Sequence, residues 1–166
     1  MAVTLARVDW FDPRAAALRA AMDVETSAMY AEFTAGRTPE VREAIDAVLT
    51  VDPAAIEVTV IALEGDRAVG HAALRPYRDE HGEFGDELEV KKVFVDPEAR
   101  GTGASRALMA WLEEYAQSKG IGSLVLQTGP LQVAAITLYE KLGYRAIDAY
   151  GGYGVIPGAL CYRKIL

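Results

Sequence analysis

Val93-Phe94-Val95-Asp96-Pro97-Glu98-Ala99-Arg100-Gly101-Thr102-Gly103-Ala104-Ser105 is the stretch on which the fold turns. It reads as a strand, a tight glycine-bearing loop and the start of a helix. Three features of the loop converge on an anion: glycines let the backbone approach a ligand closely, free N–H groups at a helix start point toward negative charge, and Arg100 adds a cation. Phosphate or pyrophosphate is what such a cradle serves best. Two common phosphate loops fail on the letters. A Walker loop ends in Gly-Lys-Ser/Thr, whereas Gly103 is followed by Ala104-Ser105. A dinucleotide fingerprint needs a third glycine where Arg106 stands and an acidic residue near Val125 to Gln127. Taken alone, the loop fits a plain connecting turn as well as an anion site.

On its N-terminal side, Leu88 to Val95 reads as a strand, and period-two alternation predicts Glu89, Lys91, Val93 and Val95 on one face with Val90, Lys92 and Phe94 on the other. On its C-terminal side, Leu108, Trp111, Leu112 and Tyr115 mark an amphipathic helix ending near Lys119-Gly120. Farther out, Thr4 to Val8 is a strand. Asp12-Pro13 starts a helix that carries Ala15, Leu18, Ala21, Met22 and Met29 inward until Gly36, and a second helix after Thr38-Pro39 turns Val41, Ile45 and Val48-Leu49 inward. Glu57 to Leu63 and Ala68 to Leu74 form a hairpin about Glu64-Gly65-Asp66, followed by a polar loop. Ser123 to Gln127 is a strand, Val133 to Leu142 a helix stopped by Gly143, and Tyr144 to Ile147 and Leu160 to Lys164 are short final strands. The order β-α-α-β-β-β-α-β-α-β-β predicts a mixed α/β fold over residues 1–166 as one domain.

Composition narrows the function classes. Twenty-four acidic against seventeen basic residues give a net charge of −7. With no basic stripe, nucleic acid is not an expected partner. No apolar run reaches membrane-spanning length and Met1 to Trp10 lacks a signal-peptide pattern, so neither membrane association nor export is expected and a cytoplasmic location is. Cys161 is the single cysteine, and His71 and His81 are the only histidines, so no disulfide or metal cluster is expected.

The loop's neighbours give it a specific meaning. Arg100 to Ser105, in the pattern Arg-x-x-Gly-x-Gly/Ala between a strand and a long helix, resembles the acetyl-coenzyme A motif of the GNAT acetyltransferase superfamily, with Ser105 departing from the usual Gly or Ala. Leu88-Glu89-Val90-Lys91-Lys92-Val93-Phe94-Val95 is similar to the family's central strand. Gln132-Val133-Ala134-Ala135-Ile136-Thr137-Leu138-Tyr139-Glu140-Lys141-Leu142-Gly143-Tyr144 resembles its Asn-x-x-Ala-x-x-Leu-Tyr-Glu-Lys-x-Gly-Phe signature, with Gln132 for Asn and Tyr144 for Phe. With the Leu126-Gln127-Thr128-Gly129 and Tyr150 to Tyr153 segments, the chain is similar to an uncharacterised bacterial branch.

The resemblance implies a single-domain acyl-CoA N-acyltransferase fold, a mixed, mostly antiparallel sheet flanked by helices. It also implies acetyl-CoA as co-substrate, no metal, a small-molecule amine as acceptor and, as family members often pair, a homodimer. Val93 and Val95 then make mainly backbone contacts to the pantetheine arm, a Phe94 N–H polarises the thioester carbonyl, and Arg100, Gly101, Thr102, Gly103, Ala104 and Ser105 hold the pyrophosphate. Gln132 contacts the coenzyme, Tyr139 protonates the departing thiolate and Glu89 is the base, directly or through a water. From the residues alone, Glu89 reads equally as a structural ion pair and Tyr139 as a core aromatic. Acceptor contacts are expected from Met29, Tyr30 and Phe33, from Arg75, Tyr77 and the acidic run Asp79, Glu80, Glu83, Asp86 and Glu87, and from Tyr150 and Tyr153. Acids beside tyrosines suit an amine or polyamine, whereas Arg75 suits an acceptor carboxylate. The alternatives are a non-catalytic acetyl-CoA-binding sensor or assembly module of the same fold, and a different acyl donor.

Overall fold

Asp12 and Thr38 begin the two N-terminal helices as their side chains predict. Asp12 accepts from Arg14 N at 2.9 Å ahead of α1 (Pro13–Ala35), and Thr38 from Val41 N at 3.4 Å ahead of α2 (Pro39–Leu49). The computed structural model describes residues 2–78 and 84–166, and within them the helices are set against a seven-stranded sheet. Its strands are β1 (Thr4–Val8), β2 (Val58–Glu64), β3 (Arg67–Arg78), β4 (Phe84–Val95), β5 (Ser123–Thr128), β6 (Arg145–Ile147) and β7 (Leu160–Ile165), in the order β1-β2-β3-β4-β5-β7-β6. Every pairing is antiparallel except β4 with β5. The crossover between that parallel pair is α3 (Ala104–Ser118), and α4 (Val133–Lys141) follows β5.

Each sheet face has its own apolar cover. Leu108, Met109, Leu112 and Ala116 of α3 bury Val60, Ala72, Leu74, Leu88 and Val90 on one face, with Tyr139 of α4 in the same cluster. Gly70 lets α3 come close, because a β-carbon there would lie 2.9 Å from Leu108 Cδ1. On the opposite face, Ala15 and Leu18 of α1 pack on Ile61 and Phe94. The inward stripe expected for α1 holds only for its first half: Ala21 and Met29 are exposed. In α2, Ile45 is buried while Val41 and Leu49 are more than a third exposed. Met22 of α1 and Ile45 and Leu49 of α2 line a cleft, whereas Ala21, Met29 and Val41 do not.

Two expectations for the central strand are corrected. β4 begins at Phe84 instead of Leu88, because backbone pairing with β3 continues to Arg78↔Phe84 whatever the polarity of the side chains. Asp86 and Glu87 therefore belong to the strand, whereas Asp79, Glu80 and Glu83 of the acidic run lie outside the described residues. The alternation also breaks. The β3–β4 register passes from His71↔Phe94 to Ala73↔Lys91, so Ala72 alone opposes Lys92 and Val93, and Lys92 takes a positive φ of 55°. This is a β-bulge, and it reverses the faces beyond it. Val93 and Val95 join Leu88 and Val90 against the α3 cluster, while Phe94 packs under α1.

Candidate functional site

Parallel pairing of β4 with β5 covers only Glu87↔Ser123 to Glu89↔Val125. Beyond it β5 stays paired with β7 through Thr128, and β4 turns away through its bulge. The two strands splay, opening a cleft of about 550 Å³. Lys91, Val93, Thr128 and Tyr139 wall its sheet side, and Tyr30 and Phe33 of α1 its far side, with α2 closing it through Ile45 and Leu49. A concave, largely apolar space with a few convergent polar groups is the usual form of a small-molecule site.

His71 holds the bulge from beneath. Its Nδ1 is 2.8 Å from the Lys92 carbonyl, which only accepts, and its Nε2 is 3.1 Å from Arg19 Nη1, which only donates. The partners thus fix a neutral ring protonated at Nδ1. Burial, opposed by the Lys92 carbonyl and reinforced by Arg19, lowers its pKa from 6.5 to about 4. A depressed folded-state pKa means that the unfolded chain takes the proton first as the solution is acidified. The stability tied to neutral His71 is therefore whole above pH 6.5 and falls as pH drops toward 4, by about 3 kcal/mol in all. Urea unfolding of wild type and His71→Gln across this window isolates the effect; parallel pH dependence in the two proteins would show that His71 carries none of it.

Glu89 lies one step behind the cleft wall, 2% exposed. Its cross-strand partner Arg75 donates from Nε to Oε2 at 2.6 Å. Its Oε1 accepts from the Tyr153 hydroxyl at 2.5 Å and the Tyr150 hydroxyl at 3.0 Å. The Tyr153 oxygen in turn accepts from Lys91 Nζ at 2.8 Å and Arg75 Nη2 at 3.1 Å. Of this cluster Lys91 alone lines the cleft. Burial pushes its pKa down to about 8, against the attraction of Glu89 and with the repulsion of Arg75.

Tyr139 reaches the cleft from α4, 6% exposed, with its ring against Tyr144 and Tyr162 and no hydrogen bond to its hydroxyl among the described residues. Burial raises its pKa, so the phenol stays protonated. Gln132 lines the cleft too, and its Oε1 accepts from Gly129 N at 3.0 Å and Thr128 Oγ1 at 3.2 Å, fixing the β5–α4 turn. Tyr30 crosses to the same turn and accepts from Leu131 N at 3.2 Å. A β-carbon at Gly129 would lie 1.8 Å from the Tyr30 oxygen, so only glycine leaves room for that crossing.

The Arg100–Ser105 loop lies beyond the cleft lining, at the end of β4. Gly101 and Gly103 have φ of 84° and 91°, and a β-carbon at either meets nothing within 4 Å. No side chain caps α3, which leaves the N–H groups of its first turn directed out of the helix. Arg100 is engaged elsewhere: Nη2 grips both Glu25 oxygens at 2.7 and 2.8 Å, and Nε donates to the Val95 carbonyl at 3.1 Å.

Of the expected acceptor contacts, Tyr30 and Phe33 line the cleft and Met29 does not. Arg75, Tyr150 and Tyr153 surround Glu89, with Tyr77 edge-on to Tyr150 at 5.0 Å between ring centroids. Glu87 is paired with Arg163 at 2.6 Å. Lys91, His71 and the whole of α2 escaped site reasoning from sequence. A lysine inside the strand motif carries no local mark of facing a cleft.

Comparison with known proteins follows this geometry. Residues 18–144 match the acetyltransferase (GNAT) family. An Azospirillum brasilense protein named IAA acetyltransferase is 39% identical over 88 residues, 53% of this chain and 56% of that protein. Human N-acetylaspartate synthetase is 34% identical over 99 residues, 60% of this chain and 30% of that protein. The chain thus spans about half, or less, of the curated relatives it matches. A Klebsiella pneumoniae crystal structure, assigned provisionally as an acyl-CoA N-acyltransferase, superposes with a TM-score of 0.73 at 27% identity, covering 99% of this chain and 97% of that one.

Proposed function

The chain belongs to the GNAT acetyltransferase family, and we propose from this premise that it is an N-acetyltransferase passing acetyl from acetyl-coenzyme A directly to a primary amine of a small molecule. The observation that carries the reading is the unpartnered Tyr139 hydroxyl opening into the cleft where β4 and β5 part. With no protein partner taking it, that hydroxyl is available to hydrogen-bond a molecule bound in the cleft.

The residues present fit acetyl-coenzyme A. Bound there, it supplies an acyl carbon activated as a thioester. The open glycine loop and the uncapped start of α3 suit its diphosphate through backbone N–H groups of Gly101 to Ser105, since the Arg100 guanidinium is largely taken by Glu25. The splayed edge of β4 at Val93, Phe94 and Val95 leaves backbone groups for the pantetheine arm, and Gln132 holds the turn opposite. Tyr139 serves as the acid for the departing sulfur. The base role of Glu89 is exerted indirectly, because both of its oxygens are engaged and it reaches the cleft only through its neighbours. Holding acceptor and donor together in one water-poor cleft supplies much of the rate.

Free thiol released from acetyl-coenzyme A with a broad panel of primary amines tests the proposal. Turnover with at least one amine is expected, its N-acetyl product identified by mass spectrometry. Tight acetyl-coenzyme A binding without turnover on any amine would establish a sensor module instead.

A further inference from the structure

Resting on that reading, we infer that Lys91 is the group that takes the proton from the acceptor's ammonium, with Glu89 acting as a positioning residue behind it. A base must meet the acceptor inside the cleft, and the described carboxylates and phenols there are otherwise disposed. Glu89 does not line the cleft, and Arg75, Tyr150 and Tyr153 occupy its oxygens. Asp23 of α1 is paired with Lys92 at 3.1 Å. Asp46 and Arg42 line the cleft from α2, on the wall opposite β4, and both are exposed to solvent, so neither is desolvated as Lys91 is. Tyr30 is bonded to Leu131 N, and Tyr139 is the proton donor to sulfur. Lys91 remains, 8% exposed in the cleft wall, with Nζ 2.8 Å from the Tyr153 hydroxyl and 3.7 Å from Glu89.

The surrounding charges explain why this lysine can work as a base. One carboxylate, Glu89, is shared between Arg75 and Lys91. Arg75 cannot give up its proton, so the excess positive charge is relieved at Lys91. Lysine desolvated beside another cation titrates near neutrality, where general-base catalysis is most effective.

The step balances. The Nζ lone pair takes one ammonium hydrogen as a proton, and the N–H electron pair stays on the acceptor nitrogen. That nitrogen forms its bond to the acyl carbon, the C–S bond breaks with its pair on sulfur, and Tyr139 protonates the sulfur. A second hydrogen, lost from the nitrogen on collapse, returns to Tyr139. Lys91 releases its proton to solvent before the next turnover.

The test combines activity with a direct titration. The ¹³Cε signal of Lys91, assigned by its loss in Lys91→Met, is expected to titrate with a midpoint near 8. A midpoint at the ordinary lysine value overturns the proposal. With an accepted amine, kcat/KM is expected to rise with pH through that same midpoint, unmoved by the amine's own pKa. Lys91→Met and Lys91→Arg are both expected to lose about a hundredfold while retaining the Kd for acetyl-coenzyme A. Arginine keeps the charge but cannot accept the proton, so substantial activity in Lys91→Arg would mean that the cation anchors an acceptor anion and would overturn the base role. Glu89→Gln is expected to move the midpoint to lower pH, because Glu89 holds the Lys91 proton on; loss of the limb altogether would make Glu89 the base. No thiol release with any amine, even with Lys91 titrating near 8, overturns the acetyltransferase reading and this role with it.

Discussion

Replacing Glu89 with alanine is expected to remove about 3–5 kcal/mol of folding stability, because it strips the shared carboxylate from buried Lys91 and half-buried Arg75. The two respond differently. Lys91 can shed its proton and become a neutral amine, limiting its share of the cost, whereas Arg75 stays charged at any accessible pH. The penalty therefore concentrates on Arg75, whose side chain is 20% exposed. Tyr150 and Tyr153 add to it, since both hydroxyls lose their acceptor. In Arg75→Met/Glu89→Ala most of the stability should return, as replacing a buried ion pair by apolar groups is often close to neutral. Arg14→Ala, which opens the exposed Arg14–Asp12 pair and keeps the Asp12 cap, serves as a control and is expected to leave stability nearly unchanged. Urea denaturation of the four proteins decides the matter. If the double variant is as unstable as Glu89→Ala, the cost arises from packing and not from unpaired charge.

This network marks where sequence reasoning stops. The strand, glycine turn and helix at Val93 to Ser105 are local, each specified by residues a few positions apart, and they form as their letters predict. The same holds for the helix at Val133–Lys141 and for the caps at Asp12 and Thr38. The bulge at Lys92 is not local. Nothing about a lysine signals a φ of 55°; the register with β3 and the grip of His71 from another strand impose it. That one residue reverses which side chains of β4 face the α3 core. Likewise, Tyr150 and Tyr153 stand 61 and 64 residues from Glu89 along the chain, so their letters announce aromatics and not partners. Leu49 of α2 reads as core-facing because periodicity reports an inward face without saying whether that face meets packed side chains or a cleft.

Tyr139→Phe is expected to lower kcat about a hundredfold, the usual scale for loss of a positioned general acid, with little change in the Kd for acetyl-coenzyme A. The substitution removes one oxygen and leaves the ring against Tyr144 and Tyr162, with centroids 5.8 and 6.5 Å away. Because the hydroxyl has no partner among the described residues, its removal frees no buried donor or acceptor, and folding stability should hold or rise slightly. A purely structural Tyr139 gives the reverse pattern, with stability changed and turnover intact. The chemistry of the leaving group adds a sharper readout. Thiolate departure needs the acid most when the sulfur is most basic, so donors with a more acidic thiol should recover part of the rate in Tyr139→Phe but gain little in wild type. Equal sensitivity of both proteins to thiol acidity would remove Tyr139 from the proton path and leave it as one wall of the cleft.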